Sequence, residues 1–348
     1  MNIKGLLLGT AAAFAVVSGA QAADAIVAAA PEPMEYVKVC DAFGTGYFYI
    51  PGTETCLKIN GSVRWQLNYS NNPALLTTQA AGTPTNAGYH WSSNTGSYGR
   101  IEVNAKNSTE VGTVYSFIRI TGNSGSVAGS GVSTGTTYNG FTTAFYAGVD
   151  AGAFGFEVGN FDTYLHRNIV AGGLTDDGGN HKGITTSYAA VYGKSGALTY
   201  SAGVDDWSNV AGKTAGLNAG VRYGNIDKDP FSGAIAVNYD IAAKAFGAKG
   251  YVQAIFNPVT LRLIGVYSAS ANSQYAPAQG FSMVAGGKVN LTSQIFAAVD
   301  YSYSFTPKTW NVVGDLGWNV ANGFAVLAEG KYTSTKTSSG FLRFERSF

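Results

Sequence analysis

Charge is the first thing this chain has little of: only 12% of its 348 residues are Asp, Glu, Lys or Arg, with 22 basic against 21 acidic. A formal net charge of +1 removes the electrostatic case for nucleic acid, and no RNP, helix-turn-helix or zinc-finger pattern supplies another. Long apolar runs are missing too. A helical multi-span membrane protein needs several stretches of about 18 or more apolar residues, and the only comparable one lies at the amino terminus. Histidine amounts to three residues, His90, His166 and His181, without metal-ligand spacing. The two cysteines, Cys40 and Cys56, have no clustered histidine to complete a zinc site.

What is present in excess is glycine and aromatic side chains: 46 Gly, 21 Tyr and 19 Phe. That balance suits an all-β protein. Met1 to Ala22 has the form of a cleaved secretory signal, with Lys4 at a positive start, an apolar stretch from Gly5 to Val17 and the small-residue site Ala20-Gln21-Ala22. The alternative, a retained membrane anchor, is disfavoured by the short apolar part and the cleavage site behind it. In an exported chain the isolated pair Cys40 and Cys56 points to a disulfide, worth about 3 kcal/mol in the chain-entropy account. Two buried free thiols are the other possibility. Residues 23–56 then form an N-terminal segment carrying the cysteine pair, and 57–348 the main domain.

Leu57 to Tyr69 separates its alternate residues by polarity. Leu57, Ile59, Gly61, Val63, Trp65, Leu67 and Tyr69 form one set, and Lys58, Asn60, Ser62, Arg64, Gln66 and Asn68 the other. A helix would mix the two around its circumference, whereas a strand sends them to opposite faces. The run exceeds the ~9 to 11 residues a tilted strand needs to cross a bilayer, and Trp65 and Tyr69 lie on its apolar face. Ile101, Val103 and Ala105 oppose Arg100, Glu102, Asn104 and Lys106 in the same way. A third strand follows a turn at Asn107 to Glu110, with Val114, Ser116, Ile118 and Ile120 on one face and Tyr115, Phe117 and Arg119 on the other, so its facing is ambiguous. Further strands are expected near 140–150, 154–161, 183–192, 197–205, 217–224, 231–240, 248–256, 259–268, 280–290, 294–303, 309–320, 324–333 and 340–348.

The total is about sixteen. Short turns such as Asn257-Pro258, Thr292-Ser293 and Ala321-Asn322-Gly323 alternate with linkers that are mostly longer, as in a transmembrane antiparallel β-barrel with short periplasmic turns and long outer loops. A soluble sandwich has no reason to make every second connection short. An even strand count lets the first and last strands pair and leaves no edge in lipid. In the terminal strand Leu342, Phe344 and Phe348 share a face that Arg346 interrupts, which is tolerable near an interface and costs ~2 to 4 kcal/mol at the midplane.

Val37 to Arg64, VKVCDAFGTGYFYIPGTETCLKINGSVR, resembles the mature start of the alphaproteobacterial general porins of the Rhizobium and Brucella type. Both cysteines and the GYFYIPGT stretch between them carry the likeness, and export signal, length, strand count and terminal Phe348 agree with it. The resemblance implies an outer-membrane barrel of sixteen strands, a homotrimer, and a third long loop folded into the lumen.

Residues suggestive of catalysis are few. Gly131-Val132-Ser133-Thr134-Gly135 fits G-x-S-x-G but sits in a Gly/Ser/Thr loop instead of a strand-to-helix elbow. Asp176-Asp177-Gly178-Gly179-Asn180 lacks the spaced acids and closing Glu of a calcium loop. Charges on the polar strand faces carry more weight, because inside a barrel wall they must meet water or a partner. Arg64, Arg100 and Arg119 fall on three consecutive strands and would form a basic strip if their heights match; separate salt bridges with Glu102 or other wall acids are the alternative. Asp162, Asp176 and Asp177 flank the third long loop, and an acidic loop opposite a basic wall would set a transverse field at the constriction. These observations lead to a water-filled porin for passive diffusion of small hydrophilic solutes and ions, set in outer-membrane lipid, with no cofactor and no covalent chemistry. A barrel enzyme or a plugged adhesion barrel is the alternative.

Overall fold

The computed structural model describes residues 38–71, 89–92, 96–124, 141–177, 185–206, 214–271, 273, 275 and 279–348. By its contacts the chain divides into Met1–Lys38 and Val39–Phe348, and every element below belongs to the second unit. The signal expected over residues 1–22, the motif at 131–135 and His181 lie outside the described residues.

In chain order the strands are β1 (Phe48–Tyr49), β2 (Cys56–Asn71), β3 (Tyr89–Ser92), β4 (Ser97–Thr109), β5 (Gly112–Ser124), β6 (Phe141–Asp150), β7 (Phe154–Asp162), β8 (Thr185–Ser195) and β9 (Leu198–Asp206). They continue as β10 (Ala215–Tyr223), β11 (Phe231–Asp240), β12 (Ala245–Phe256), β13 (Val259–Ser268), β14 (Gly280–Asn290), β15 (Ile295–Ser304), β16 (Thr309–Ala321), β17 (Phe324–Thr333) and β18 (Ser338–Ser347). A short helix, α1 (Tyr164–Asn168), lies between β7 and β8. Sixteen of the strands, β2 and β4 to β18, pair antiparallel in sequence order, and β18 returns to β2 to close the barrel. The two others are short pairings onto β2: β3 on its distal part and β1 on its first residues.

Closure runs from Ser338 opposite Asn71 to Ser347 opposite Ser62. Phe348 adds a last reciprocal pair, its amide donating to the Gly61 carbonyl at 2.9 Å and its carbonyl accepting from Gly61 at 3.0 Å. A Cβ at Gly61 would collide with the Phe348 ring, so the glycine leaves the notch that the terminal aromatic fills. Beyond Gly61, β2 continues to Cys56 with no β18 beside it. There Phe48 and Tyr49 of β1 pair with Leu57 and Cys56, and the Cys40–Cys56 disulfide ties the hairpin down.

The polarity split of β2 is the split of the wall. Ile59, Val63 and Trp65 are exposed on the outer, apolar face while Ser62 and Gln66 are buried on the inner one. The ambiguous strand, β5, exposes Val114, Ile118 and Ile120 outward and buries Phe117 inward. Its inner rings are accounted for by what packs on them: Phe117 stacks with Tyr146 at 4.9 Å and lies 5.5 Å from Phe161. The turn expected at 107–110 is tighter than its sequence suggests, because β4 and β5 stay paired to Thr109 and Gly112. Connections on the rim opposite the first residues of β2 and the last of β18 are longest after β2, β5 and β7; in the second half three shorten to 241–244, 305–308 and 334–337, while 269–279 stays long. Arg346 faces outward at the rim where β18 ends, and its Nη1 donates to the Asn322 carbonyl in the β16–β17 turn at 3.3 Å. There the head group reaches polar partners at the interface instead of hydrocarbon.

Candidate functional site: the inner wall and the third long connection

The segment after β7 runs along the inner face of the wall. Its first part is apolar. Leu165, Ile169 and Val170 are buried with Ala236, and Ala171 packs with Tyr251, Ile264, Val266 and Val284. Small residues on the wall make this close approach possible: a Cβ at Gly220 would stand 2.8 Å from Leu165 Cδ1 and 2.9 Å from Ile169 Cγ2. Tyr164 stacks on Tyr192 at 4.4 Å. The His166 Nδ1 meets the Thr163 hydroxyl at 3.0 Å, and burial, with Lys249 nearby, pushes its pKa down to about 3. It is a neutral packing residue of the loop.

Polar bonds continue where the apolar ones stop. Arg222 donates to the Asn168 carbonyl, and Arg262 Nη1 donates to the carbonyls of Gly172 at 2.6 Å and Gly173 at 3.0 Å. Three successive amides then meet three carboxylates on three successive strands. Thr175 donates to Asp300 on β15 at 2.7 Å, Asp176 to Asp315 on β16 at 2.8 Å, and Asp177 to Glu329 on β17 at 2.8 Å. Side chains reinforce them: Arg343 holds Asp176 in a bidentate pair at 2.7 Å for each bond, and Lys331 meets Asp177 at 2.6 Å. Charge-assisted and bidentate bonds of this kind are the strong class.

The arginine strip lies on the neighbouring wall. Arg64 pairs with Glu345 of β18 at 2.7 Å, and Arg119 with Glu102 of β4 at 2.7 Å. Arg100 donates from Nε to the Thr121 hydroxyl at 3.3 Å. The guanidiniums of Arg64 and Arg100 lie 4.6 and 4.3 Å from the centre of the Tyr98 ring, and that of Arg119 lies 4.6 Å from Phe161. Arg167, from α1, extends the series by pairing with Glu157 and standing 4.1 Å from Tyr146.

The expected site residues therefore fall into two groups. Arg64, Arg100 and Arg119 share the inner face of adjacent strands, two of them in ion pairs with wall acids. Asp176 and Asp177 are bonded to Arg343 and Lys331 and to none of those three arginines. Asp162 accepts from the Thr185 hydroxyl at 2.6 Å, and its carbonyl accepts from Arg167. Both carboxylates of the candidate calcium motif that fall among the described residues are thus engaged by wall cations. Sequence reasoning missed Asp300, Asp315, Glu329, Arg343 and Lys331. Each has inner-face parity, so the scan that found the arginines would have found them in the second half of the chain. Nothing local signals that residues 174–177 meet them.

A sequence model described as a porin subfamily matches residues 24–344. The chain belongs to this porin family. Porin Omp2a of Brucella suis biovar 1 is 32% identical over the whole of both chains, and Porin Omp2b of Brucella neotomae is 31% identical, again over the whole of both. A variant of the Rh. blastica porin superposes with a TM-score of 0.58 at 13% identity, covering 84% of this chain and all of that one, a likeness of fold. The porin forms a channel for small solutes in the bacterial outer membrane, so its apolar face meets lipid and the rim where β2 begins and β18 ends is periplasmic. Its family membership speaks for a channel and not an enzyme.

Proposed function

We propose that the porin is a general diffusion channel whose third long connection folds into the lumen and narrows it, and that the protein assembles as a homotrimer after residues 1–22 are removed on export. Arg64, Arg100 and Arg119 border the narrowed passage on one side; the loop carrying Asp162, Asp176 and Asp177 borders it on another. The observation that carries this reading is the run of bonds from residues 168–177 to inward side chains of β10, β13 and β15 to β18. A segment tethered at so many points across the inner wall reduces the open cross-section and does not swing freely. The charges there would set ion preference and orient polar solutes. Asp176 and Asp177 are matched to their own cations and so add little to a transverse field.

Single-channel recording in planar bilayers tests the proposal. Steady openings are expected from the parent, and larger openings from a variant in which Gly172 to Asp177 are removed. A deletion channel with the parent's conductance would show that the segment does not form the constriction, and silence from correctly folded parent protein would overturn the open-pore reading.

A further inference from the structure

Within the arginine strip one guanidinium differs from the rest. Arg64 is matched by Glu345, Arg119 by Glu102 and Arg167 by Glu157. Arg100 stands between the first two pairs, and among the described residues no carboxylate is paired with it. The register explains why. Its neighbour on β2 is Ser62 and its neighbour on β5 is Thr121, both hydroxyl side chains. On its own strand the next inward residues are Tyr98 on one side and Glu102 on the other, and Glu102 is engaged by Arg119 at two of the guanidinium nitrogens.

The Arg100 side chain is nevertheless held. Nε is anchored on Thr121, and the guanidinium lies against the ring of Tyr98. That ring is itself fixed, since its hydroxyl donates to Glu345 Oε1 at 3.2 Å. An arginine stacked on an aromatic ring and tied at Nε keeps its fork oriented and leaves the outer N–H donors for a partner. Arg222 and Arg262 also lack carboxylates, but their donors go to loop carbonyls and to Gln253.

We propose that Arg100 is a binding site for small oxyanions, carboxylates and phosphates, that are held in a two-point contact as they pass. This rests on the channel reading above and adds to it a ligand class and the residue that recognises it. An oxyanion presents two oxygens to the two outer nitrogens of the fork, whereas chloride offers a single point and is distinguished less sharply. The flanking ion pairs are part of the site. They neutralise Arg64 and Arg119, so that one net positive charge is left in the strip, at Arg100.

The test is a titration of the full-length channel in planar bilayers with inorganic phosphate, and separately with succinate, at constant ionic strength in KCl. The parent should lose conductance saturably as either anion occupies the passage. Arg100→Gln should raise the half-saturating concentration about tenfold or more, the scale of one lost charge-assisted contact. Arg100→Lys keeps the charge but not the fork; it should retain the parent's reversal potential in a KCl gradient while binding phosphate several-fold less well. Glu102→Gln should act in the opposite direction, because it releases Arg119 to bind as well, and lower the half-saturating concentration. Arg100→Gln titrations that superimpose on the parent's, or a Glu102→Gln channel that binds phosphate no better, would overturn the assignment. A parent that conducts steadily with no saturable effect of either anion would overturn it while leaving the channel reading intact; no steady conductance would remove both.

Discussion

Replacing Leu316 by arginine puts a charge on the outer face of β16, where the side chain is 54% exposed and therefore meets lipid. Its depth follows from the two tryptophans of the same face. Trp310 and Trp318 are separated by about 8 rises of ~3.4 Å along a strand tilted by ~40°, or about 21 Å along the barrel axis, close to the ~25 Å apolar band between aromatic girdles. The midplane then falls near Gly314, and Leu316 lies about 5 Å from it, some two-fifths of the way to the interface. A midplane arginine costs ~2 to 4 kcal/mol and an interfacial one ~0 to 1, which puts Leu316→Arg at about 2 kcal/mol, or about 30-fold in the folding equilibrium. Val312→Arg, at the same distance on the other side, should cost the same. Asn311→Arg projects inward and should be tolerated within about 1 kcal/mol, the loss being its bond from the Ser302 hydroxyl at 2.7 Å. The natural Arg346 sets the other end of the scale, since it faces outward beside the turn at Asn322. Reversible urea titrations in lipid vesicles give the three free energies. Equal values for Leu316→Arg, Val312→Arg and Asn311→Arg would refute the facing of β16 and the depth scale together.

Mass analysis of unreduced peptides should recover Cys40 joined to Cys56, and replacing both by serine should cost about 3 kcal/mol of stability without changing conductance, because the bridge fastens the segment before β1 to the first residue of β2 and does not reach the strip. Changing Arg64, Arg100 and Arg119 together to Ser should shift the reversal potential in a salt gradient toward cations; freeing Glu345 and Glu102 adds to the shift, and with screening over ~10 Å at 0.1 M it should be larger in dilute salt. An unchanged reversal potential at low salt would place those arginines outside the constriction. Asp176→Asn should leave Arg343, which is 7% exposed, with weakened pairing, and loosen the loop enough to raise open-channel current noise while the folded yield stays near the parent's; noise equal to the parent's would show that the amide-to-carboxylate bonds suffice alone.

The positions of the sixteen wall strands, the faces of all of them but β5, and the closing pair were legible in residue order, because a strand turns alternate side chains to opposite sides and a bilayer demands that one side be apolar; the short β1 and β3 were not expected. Leu57 to Tyr69 and Trp310 to Val320 carry that information without reference to any other part of the chain. The inner face is different. Asp176 meets Asp315 across a separation of 139 residues and Asp177 meets Glu329 across 152, contacts that no local period encodes. The facing of β5 was open for the same reason, since Phe117 looks like a lipid-facing residue until Phe161 and Tyr146 are brought over it. Parity put Arg64, Arg100 and Arg119 on one wall; the register of β2 with β18 and of β4 with β5 decided which of them found a carboxylate, and so left the unmatched charge at Arg100.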